Sequence, residues 1–186
     1  FWNPLIEQLP NNYTKQVIAY PGFHGTAAHP DIHSFDDLST YVVAQIQQPS
    51  ILIAQSMGGI FAIAATLQKT DLIKGLVLIA TSGGINLERF KVQDWRQLYR
   101  QEYLESPDWF VTTKVDYEEF LSTIEIETLL IWGDQDPVSP IEVGQYLNQI
   151  LKKSKLYIVE GGDHGLAKQD ADEVAIQINA YLKDSV

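Results

Sequence analysis

The sequence contains no cysteine. Disulfide bonds, thiolate catalysis and cysteine metal sites are therefore excluded, and the absence fits a cytoplasmic protein. Long hydrophobic runs are also missing, because no apolar segment approaches the roughly 18 residues that cross a bilayer, and no signal-peptide pattern opens the chain. We therefore predict a cytoplasmic location.

Basic residues are scarce, with 13 Lys and Arg against 24 Asp and Glu and a net charge of −11. Nucleic acid and anionic membranes repel such a chain unless its basic residues cluster. We therefore expect a small-molecule substrate, with neither nucleic acid nor membrane as a partner. The length of 186 residues and the 45% hydrophobic content suit one globular domain, 1–186. The chain opens at Phe1 without a methionine, so we expect the natural amino terminus to lie upstream.

Short β-branched, nearly continuous apolar runs predict strands buried on both faces, as in a parallel sheet covered by helices. They lie at 17–20, 51–54, 76–80, 129–132 and 156–159. Helical periodicity occupies the segments between and after them, at 34–47, 58–69, 140–151 and 170–182. Strands that alternate with helices predict an α/β fold with a mostly parallel sheet and helices on both faces.

One long segment, 82–127, interrupts this alternation and is rich in aromatic and charged residues. It is too long for a plain connection. We predict a small helical cap here, with Trp95, Tyr99 and Trp109 as candidate substrate-binding residues. Aromatic residues that simply form the core of this segment are the alternative.

The central motif is Ala-Gln-Ser-Met-Gly-Gly at 54–59, between a predicted strand and a predicted helix. A sharp strand-to-helix turn presents a serine hydroxyl above the sheet edge and needs small neighbours, which Gly58 and Gly59 provide. The Met57 amide, at the helix start, is free to stabilise an oxyanion. Ser56 is thus a candidate nucleophile. A serine in a glycine-rich turn without chemistry is the alternative.

Two more loops follow predicted strands. Asp134 and Asp136 come after the run that ends at Trp132, and His164 lies in a glycine-rich loop after 156–159. Taken singly, an ordinary acidic turn and an exposed loop histidine would explain them. The chain order serine, aspartate, histidine is that of α/β-hydrolases, and this conjunction favours catalysis. No acids or cysteines cluster with the remaining histidines, so we predict no metal and no cofactor.

These motifs resemble the α/β-hydrolase superfamily over essentially the whole chain, and within it small carboxylesterases such as the pimeloyl carrier-protein methyl ester esterases. Gly133, Asp136 and Pro140 are similar to the family's acid loop, and Gly162-Asp163-His164 to its histidine loop. The resemblance implies an α/β-hydrolase fold with a small cap, and Asp136 rather than Asp134 as the acid. The Pro-Gly turn at 20–25 is similar to the one after the family's fourth strand.

The same resemblance implies three strands before this turn and a His-Gly loop that supplies the second oxyanion amide. The chain has no counterpart of them, so we expect the N-terminal strands to be absent. Either the beginning of the protein is missing or the chain is a degenerate member. As an alternative, the amide of Phe23 could serve as the second donor.

We therefore predict a serine hydrolase that cleaves a carboxylic ester or thioester through an acyl-enzyme. Ser56 would be the nucleophile, His164 the general base and Asp136 its orienting acid. Two other functional hypotheses stay open. One is a non-catalytic binding member of the fold, and the other is a cofactor-free lyase or C–C hydrolase that uses the same residues.

Overall fold

The computed structural model describes residues 1–102 and 107–185. Its sheet contains four parallel strands in the order β1-β2-β3-β4. Their bounds are β1 Ser50–Gln55, β2 Ile73–Ile79, β3 Thr128–Gly133 and β4 Ser154–Val159. Each corresponds to a predicted apolar run. The prediction of a parallel sheet is confirmed.

The longer helices follow the predicted alternation. They are α2 Phe35–Ala44, α3 Met57–Gln68, α7 Ile141–Ile150 and α9 Ala171–Ser185. Ser34 caps α2, since its hydroxyl accepts a hydrogen bond from the Asp37 amide at 3.1 Å. Short helices complete the described chain: α1 Asn3–Ile6, α4 Arg96–Glu102, α5 Asp108–Thr112, α6 Glu118–Leu121 and α8 Leu166–Gln169.

The two faces of the sheet bury alternate residues of the same strands. On one face, Val77 and Ile131 pack with α1 and α9. On the other face, Leu78 and Trp132 pack with α3 and α7. Helices therefore cover both faces, which explains why the strand sequences are nearly continuous in apolar residues. In chain order, the three short helices α4, α5 and α6 come after β2 and before β3.

The predicted strand at 17–20 is wrong. In the structure this segment is not part of a ladder, and Val17 is 54% exposed. Extended backbone becomes a strand only when a neighbouring strand pairs with its N–H and C=O groups. Among the described residues, the sheet provides no such neighbour beside 17–20. Its apolar side chains Ile18 and Tyr20 still pack into a cluster with Phe61.

Candidate active site

Ser56 lies in the turn between β1 and α3, at the carboxyl end of the sheet. Its φ angle of 54° is in the left-handed region, which non-glycine residues rarely occupy. Hydrogen bonds hold this backbone in place. The Ser56 amide donates to the Ile79 carbonyl at 3.0 Å, and the Thr81 hydroxyl donates to the Ser56 carbonyl at 2.5 Å. Strain that its surroundings maintain in this way is typical of functional sites.

Small residues allow α3 to approach β2 closely. A Cβ atom added at Gly59 would lie 2.4 Å from the Thr81 hydroxyl, closer than any real contact. At Gly58 the nearest atom would be the Tyr20 hydroxyl, at 3.1 Å. Only the second glycine is therefore strictly required by packing. Ala54, the small residue two positions before Ser56, is accommodated in the buried end of β1.

Asp136 is buried behind the site, with 4% of its surface exposed. Its Oδ1 accepts hydrogen bonds from the amides of Val138 and Ser139, at 2.8 and 2.9 Å. These two bonds fix the carboxylate in the turn after β3 and leave Oδ2 facing the histidine loop.

His164 bridges the other two side chains. Its Nδ1 lies 2.8 Å from Asp136 Oδ2, and its Nε2 lies 2.9 Å from Ser56 Oγ. A carboxylate can only accept, so Nδ1 carries the proton and Nε2 is left to accept from the serine hydroxyl. The imidazole is 30% exposed, whereas the Asp136 side chain is fully covered. The arrangement can move a proton from Ser56 to a neutral imidazole.

Asp134 has a different position from Asp136. Its Oδ1 accepts a hydrogen bond from the Gly161 amide at 2.8 Å and so ties the acid loop to the histidine loop. A second tie is the Gln135 amide, which donates to the Gly162 carbonyl at 2.9 Å. The structure therefore places Asp136, and not Asp134, against the imidazole.

Of the two predicted oxyanion donors, the structure supports the Met57 amide and not the Phe23 amide. Met57 is the first residue of α3 and lines the cleft above Ser56. The first amides of a helix have no partner within the helix, so this amide is positioned to donate. Phe23 does not fit the role, because its amide already donates to the Tyr20 carbonyl at 3.1 Å and its side chain is buried. The geometry does not support a second donor at Phe23.

A cleft of about 1070 Å³ opens above Ser56 and His164. Two of the three candidate substrate-binding residues, Trp95 and Tyr99, line it. Trp109 does not line it but packs against Phe23, with ring centroids 5.8 Å apart. Its neighbour Phe110 lines the cleft instead. The sequence could not distinguish the two, because which side of the short helix α5 faces the cleft depends on how this helix packs against the rest of the protein.

The cleft wall is mainly apolar, and Glu88, Arg96 and Lys114, three of the charged residues that line it, take part in ion pairs. Apolar wall residues include Ile60, Ile85, Leu87, Phe90, Val92 and Val111. Lys114 pairs with Glu88 at 2.7 Å, and Arg96 lies 3.5 Å from Asp94. These pairs are exposed, so they contribute little to stability, but they reduce the net charge that a ligand would meet.

Three polar residues of the site were missed by the sequence analysis. Thr81 holds the serine turn, the Ser139 hydroxyl accepts from the Trp132 indole at 3.2 Å, and Gln55 contacts the histidine loop. For Gln55 a signal was present, since it is a polar residue at the end of an apolar strand, directly before the serine. Thr81 and Ser139 carried no distinctive sequence signal.

Comparisons with known families agree with this architecture. A family model described as serine aminopeptidase S33 matches residues 24–116, which is half of the chain, and a model described as α/β hydrolase fold matches residues 88–171. The chain belongs to the α/β-hydrolase family. The resemblance and the fold class inferred from the sequence are therefore confirmed, and this α/β-hydrolase is an enzyme of the hydrolase class.

Similar proteins include esterases and other hydrolases. A pimeloyl-[acyl-carrier protein] methyl ester esterase of Neisseria meningitidis serogroup A is 21% identical over an alignment 226 residues long, gaps included. The alignment covers 98% of this α/β-hydrolase and 72% of the relative. A protein assigned as a lipase from Acinetobacter baumannii superposes with a TM-score of 0.83 at 19% identity, covering 99% and 79% of the two chains.

A third similar protein is the meta-cleavage product hydrolase CumD of Pseudomonas fluorescens. It superposes with a TM-score of 0.78 at 19% identity and covers 100% of this α/β-hydrolase and 85% of CumD. At such identities the two structures establish the shared fold alone. Within residues 1–102 and 107–185, no helix is long and apolar enough to cross a membrane.

Proposed function

We propose that this α/β-hydrolase cleaves a carboxylic ester or thioester by a serine acyl-enzyme mechanism. The observation that carries the proposal is the bridging imidazole of His164, 2.9 Å from the Ser56 hydroxyl and 2.8 Å from the Asp136 carboxylate. Support for an ester substrate comes from the esterases among its relatives.

The first step is acylation. His164 Nε2 takes the proton of Ser56 as Oγ attacks the carbonyl carbon, and Asp136 stabilises the imidazolium through Nδ1. The Met57 amide donates to the oxyanion of the tetrahedral intermediate. His164 then returns its proton to the departing alcohol or thiol, which leaves Ser56 acylated.

The second step is deacylation by water. His164 removes a proton from a water molecule that attacks the acyl carbonyl, and the tetrahedral intermediate collapses to release the acid. Ser56 regains its proton from the imidazolium. The strained backbone of Ser56 supports this role, because it presents Oγ to the cleft while α3 begins directly behind it.

The segment 82–127 belongs to this proposal as a cap inserted into the single domain 1–186. Its residues Phe90, Trp95 and Tyr99 form an apolar wall of the cleft. Such a wall would bind an uncharged acyl or alkyl group by excluding water from it. Removal of that water also strengthens the hydrogen bonds made to the oxyanion.

A fluorophosphonate probe tests the proposal, because it phosphonylates only an activated serine. The wild-type protein should be labelled at Ser56, and Ser56→Ala should not be labelled. The control is Ser82→Ala, which removes another hydroxyl of the cleft wall and should leave labelling unchanged. Labelling that survives Ser56→Ala, or a folded wild-type protein that is not labelled, would contradict the mechanism. Product analysis on an ester and a thioester then separates hydrolysis from lyase or C–C bond chemistry.

A further inference from the structure

Gln55 makes two hydrogen bonds to the segment that carries His164. Its side-chain Nε2 donates to the His164 carbonyl at 2.7 Å, and its Oε1 accepts from the Ala167 amide at 2.9 Å. The residue is 8% exposed. The amide group therefore spans the backbone from the histidine to the start of α8, and one strand residue next to Ser56 holds both points.

The loop after β3, which carries Asp136, holds the histidine loop at a second place. Gly161 and Gly162 are tied to Asp134 and Gln135 by bonds of 2.8 and 2.9 Å. These contacts precede His164 in the chain, whereas those of Gln55 fall on His164 itself and on the residues after it. The two sets together fix the backbone on both sides of the imidazole.

We propose that Gln55 is a positioning residue that keeps His164 in place after Ser56 has been acylated. This inference rests on the proposed serine mechanism. In the free enzyme, the hydrogen bond from Ser56 Oγ to His164 Nε2 also helps to hold the imidazole. Acylation removes the hydroxyl proton and with it that hydrogen bond. From then until water attacks, the imidazole is held by its hydrogen bond to Asp136 and by the backbone anchors of its loop, without help from Ser56.

The proposal predicts unequal effects on the two chemical steps. Gln55→Met keeps a side chain of similar length but can make neither hydrogen bond. Deacylation should slow by about 10- to 100-fold, because displacement of a catalytic group by about 1 Å has effects of this size. Acylation should slow less, since the bond between Ser56 and His164 still orients the imidazole in the free enzyme.

Tyr181→Phe is a matched control. The Tyr181 hydroxyl also accepts from one backbone amide, that of Leu76 at 3.0 Å, and donates to one carbonyl, that of Glu127 at 2.6 Å. It too is 8% exposed. These contacts lie at the middle of β2 and just before the amino end of β3, whereas Ser56 follows the carboxyl end of β1. The control thus removes a comparable buried bridge without touching the site.

The experiment is a single-turnover reaction with p-nitrophenyl butyrate and excess enzyme. Nitrophenol release measures acylation, and loss of the acyl-enzyme in quenched samples, followed by mass spectrometry, measures deacylation. Gln55→Met and Gln55→Glu should both accumulate acyl-enzyme. Tyr181→Phe should lower the melting temperature but keep both rates. Gln55→Glu retains the acceptor toward Ala167 and provides a second test if Gln55→Met does not fold.

The outcomes separate this inference from the mechanism beneath it. If both Gln55 variants deacylate at the wild-type rate per active site, Gln55 has only a structural role and the inference is wrong. The serine mechanism stands in that case as long as Ser56→Ala forms no acyl-enzyme. If the wild type forms none, the proposed function itself fails.

Discussion

At the scale of single residues, two aspartates two positions apart have different tasks. Asp136 directs one oxygen to His164 and the other to two backbone amides. Asp134 accepts a hydrogen bond from the Gly161 amide and is exposed. The difference arises because the turn after β3 points one side chain under the imidazole and the other along the loop surface.

Replacing each aspartate by asparagine tests this division. Asp136→Asn can present its side-chain NH₂ to His164 Nδ1, which favours the tautomer with the proton on Nε2. In that tautomer the imidazole cannot accept the serine proton. We expect kcat to fall by about 10⁴-fold, as in serine proteases with the same change.

Asp134→Asn is the control, since its amide oxygen can still accept from Gly161. Its kcat should stay within about threefold of wild type, because no contact to the reacting groups changes. Steady-state kinetics on one ester substrate measures both variants. Equal losses in the two variants would show that the acid has been assigned to the wrong residue.

At the scale of secondary structure elements, the serine turn depends on how closely α3 approaches the chain after β2. That distance is set at Gly59, whose Cα faces the Thr81 side chain. Thr81 is 1% exposed and holds both the Ser56 carbonyl and the Gly83 amide, at 2.5 and 3.1 Å. It therefore cannot move aside without loss of hydrogen bonds that shape the turn.

Gly59→Ala should consequently destabilise the protein by about 1–3 kcal/mol, the usual effect of overpacking a tight contact. Gly58→Ala is the matched variant, because its Cβ would meet only the end of the Tyr20 side chain at 3.1 Å. Both changes favour helix formation equally. In urea unfolding, the free energy of unfolding of Gly59→Ala should therefore lie well below that of the wild type, and that of Gly58→Ala should be close to it. Similar stabilities for the two variants would contradict the role given to Thr81.

A second feature at this scale joins α6 to α7. Glu118 of α6 accepts hydrogen bonds from the Arg89 guanidinium and, at 2.5 Å, from the Tyr146 hydroxyl. The Arg89 guanidinium also lies 4.2 Å from the centre of the Tyr146 ring. The hydrogen bonds from Arg89 and then Tyr146 lower the pKa of Glu118 below its usual value of 4.5.

Because the pKa of this carboxyl group is lower in the folded protein than in the unfolded chain, ionisation of Glu118 stabilises the folded protein. The contribution of Glu118 is therefore present above pH 4.5 and is lost as the pH falls through its lower value in the folded state. We expect the wild-type melting temperature to fall more steeply than that of Glu118→Gln between about pH 5 and pH 3. Glu119→Gln, which removes a neighbouring carboxylate, should follow the wild type. Parallel curves for wild type and Glu118→Gln would contradict the link.

At the scale of the whole molecule, the segment at 17–20 is attached through side chains and not through the sheet. Tyr20 makes an edge contact with Phe61 of α3, with ring centroids 5.3 Å apart. Burial raises the pKa of Tyr20 to about 12. Its phenol group therefore loses its proton less readily in the folded protein than in the unfolded chain.

The sign of this shift predicts a loss of stability in alkali. The contribution of Tyr20 is complete below its usual pKa of 10.0 and is lost as the pH rises through the raised value. Between about pH 10 and pH 12, the free energy of unfolding of Tyr20→Phe should fall less than that of the wild type. Urea unfolding at stepwise pH measures this. If Tyr20→Phe loses as much stability in alkali as the wild type, Tyr20 is accessible to solvent and its packing has been misjudged.

The parts of this protein that depend on local chemistry could be predicted from its amino-acid sequence. Continuous apolar runs specify strands buried on both faces, and the small residues after Ser56 permit the tight turn. Because the carboxyl ends of parallel strands meet at one edge, the chain order of the three loops predicted that Ser56, His164 and an aspartate of the loop after β3 meet there. The family resemblance then favoured Asp136 over Asp134.

Features that depend on contacts between residues far apart in the chain could not be predicted, because they arise only when the chain folds. Segment 17–20 has strand-like residues but no paired strand beside it among the described residues. Phe110 rather than Trp109 reaches the cleft, the Phe23 amide is used within its own turn, and Gln55 contacts a loop more than 100 residues away. Gln55 stands out in the sequence as a polar residue at the end of an apolar strand, but its partners do not. Pairing, packing and buried hydrogen bonds are settled by which surfaces meet in space.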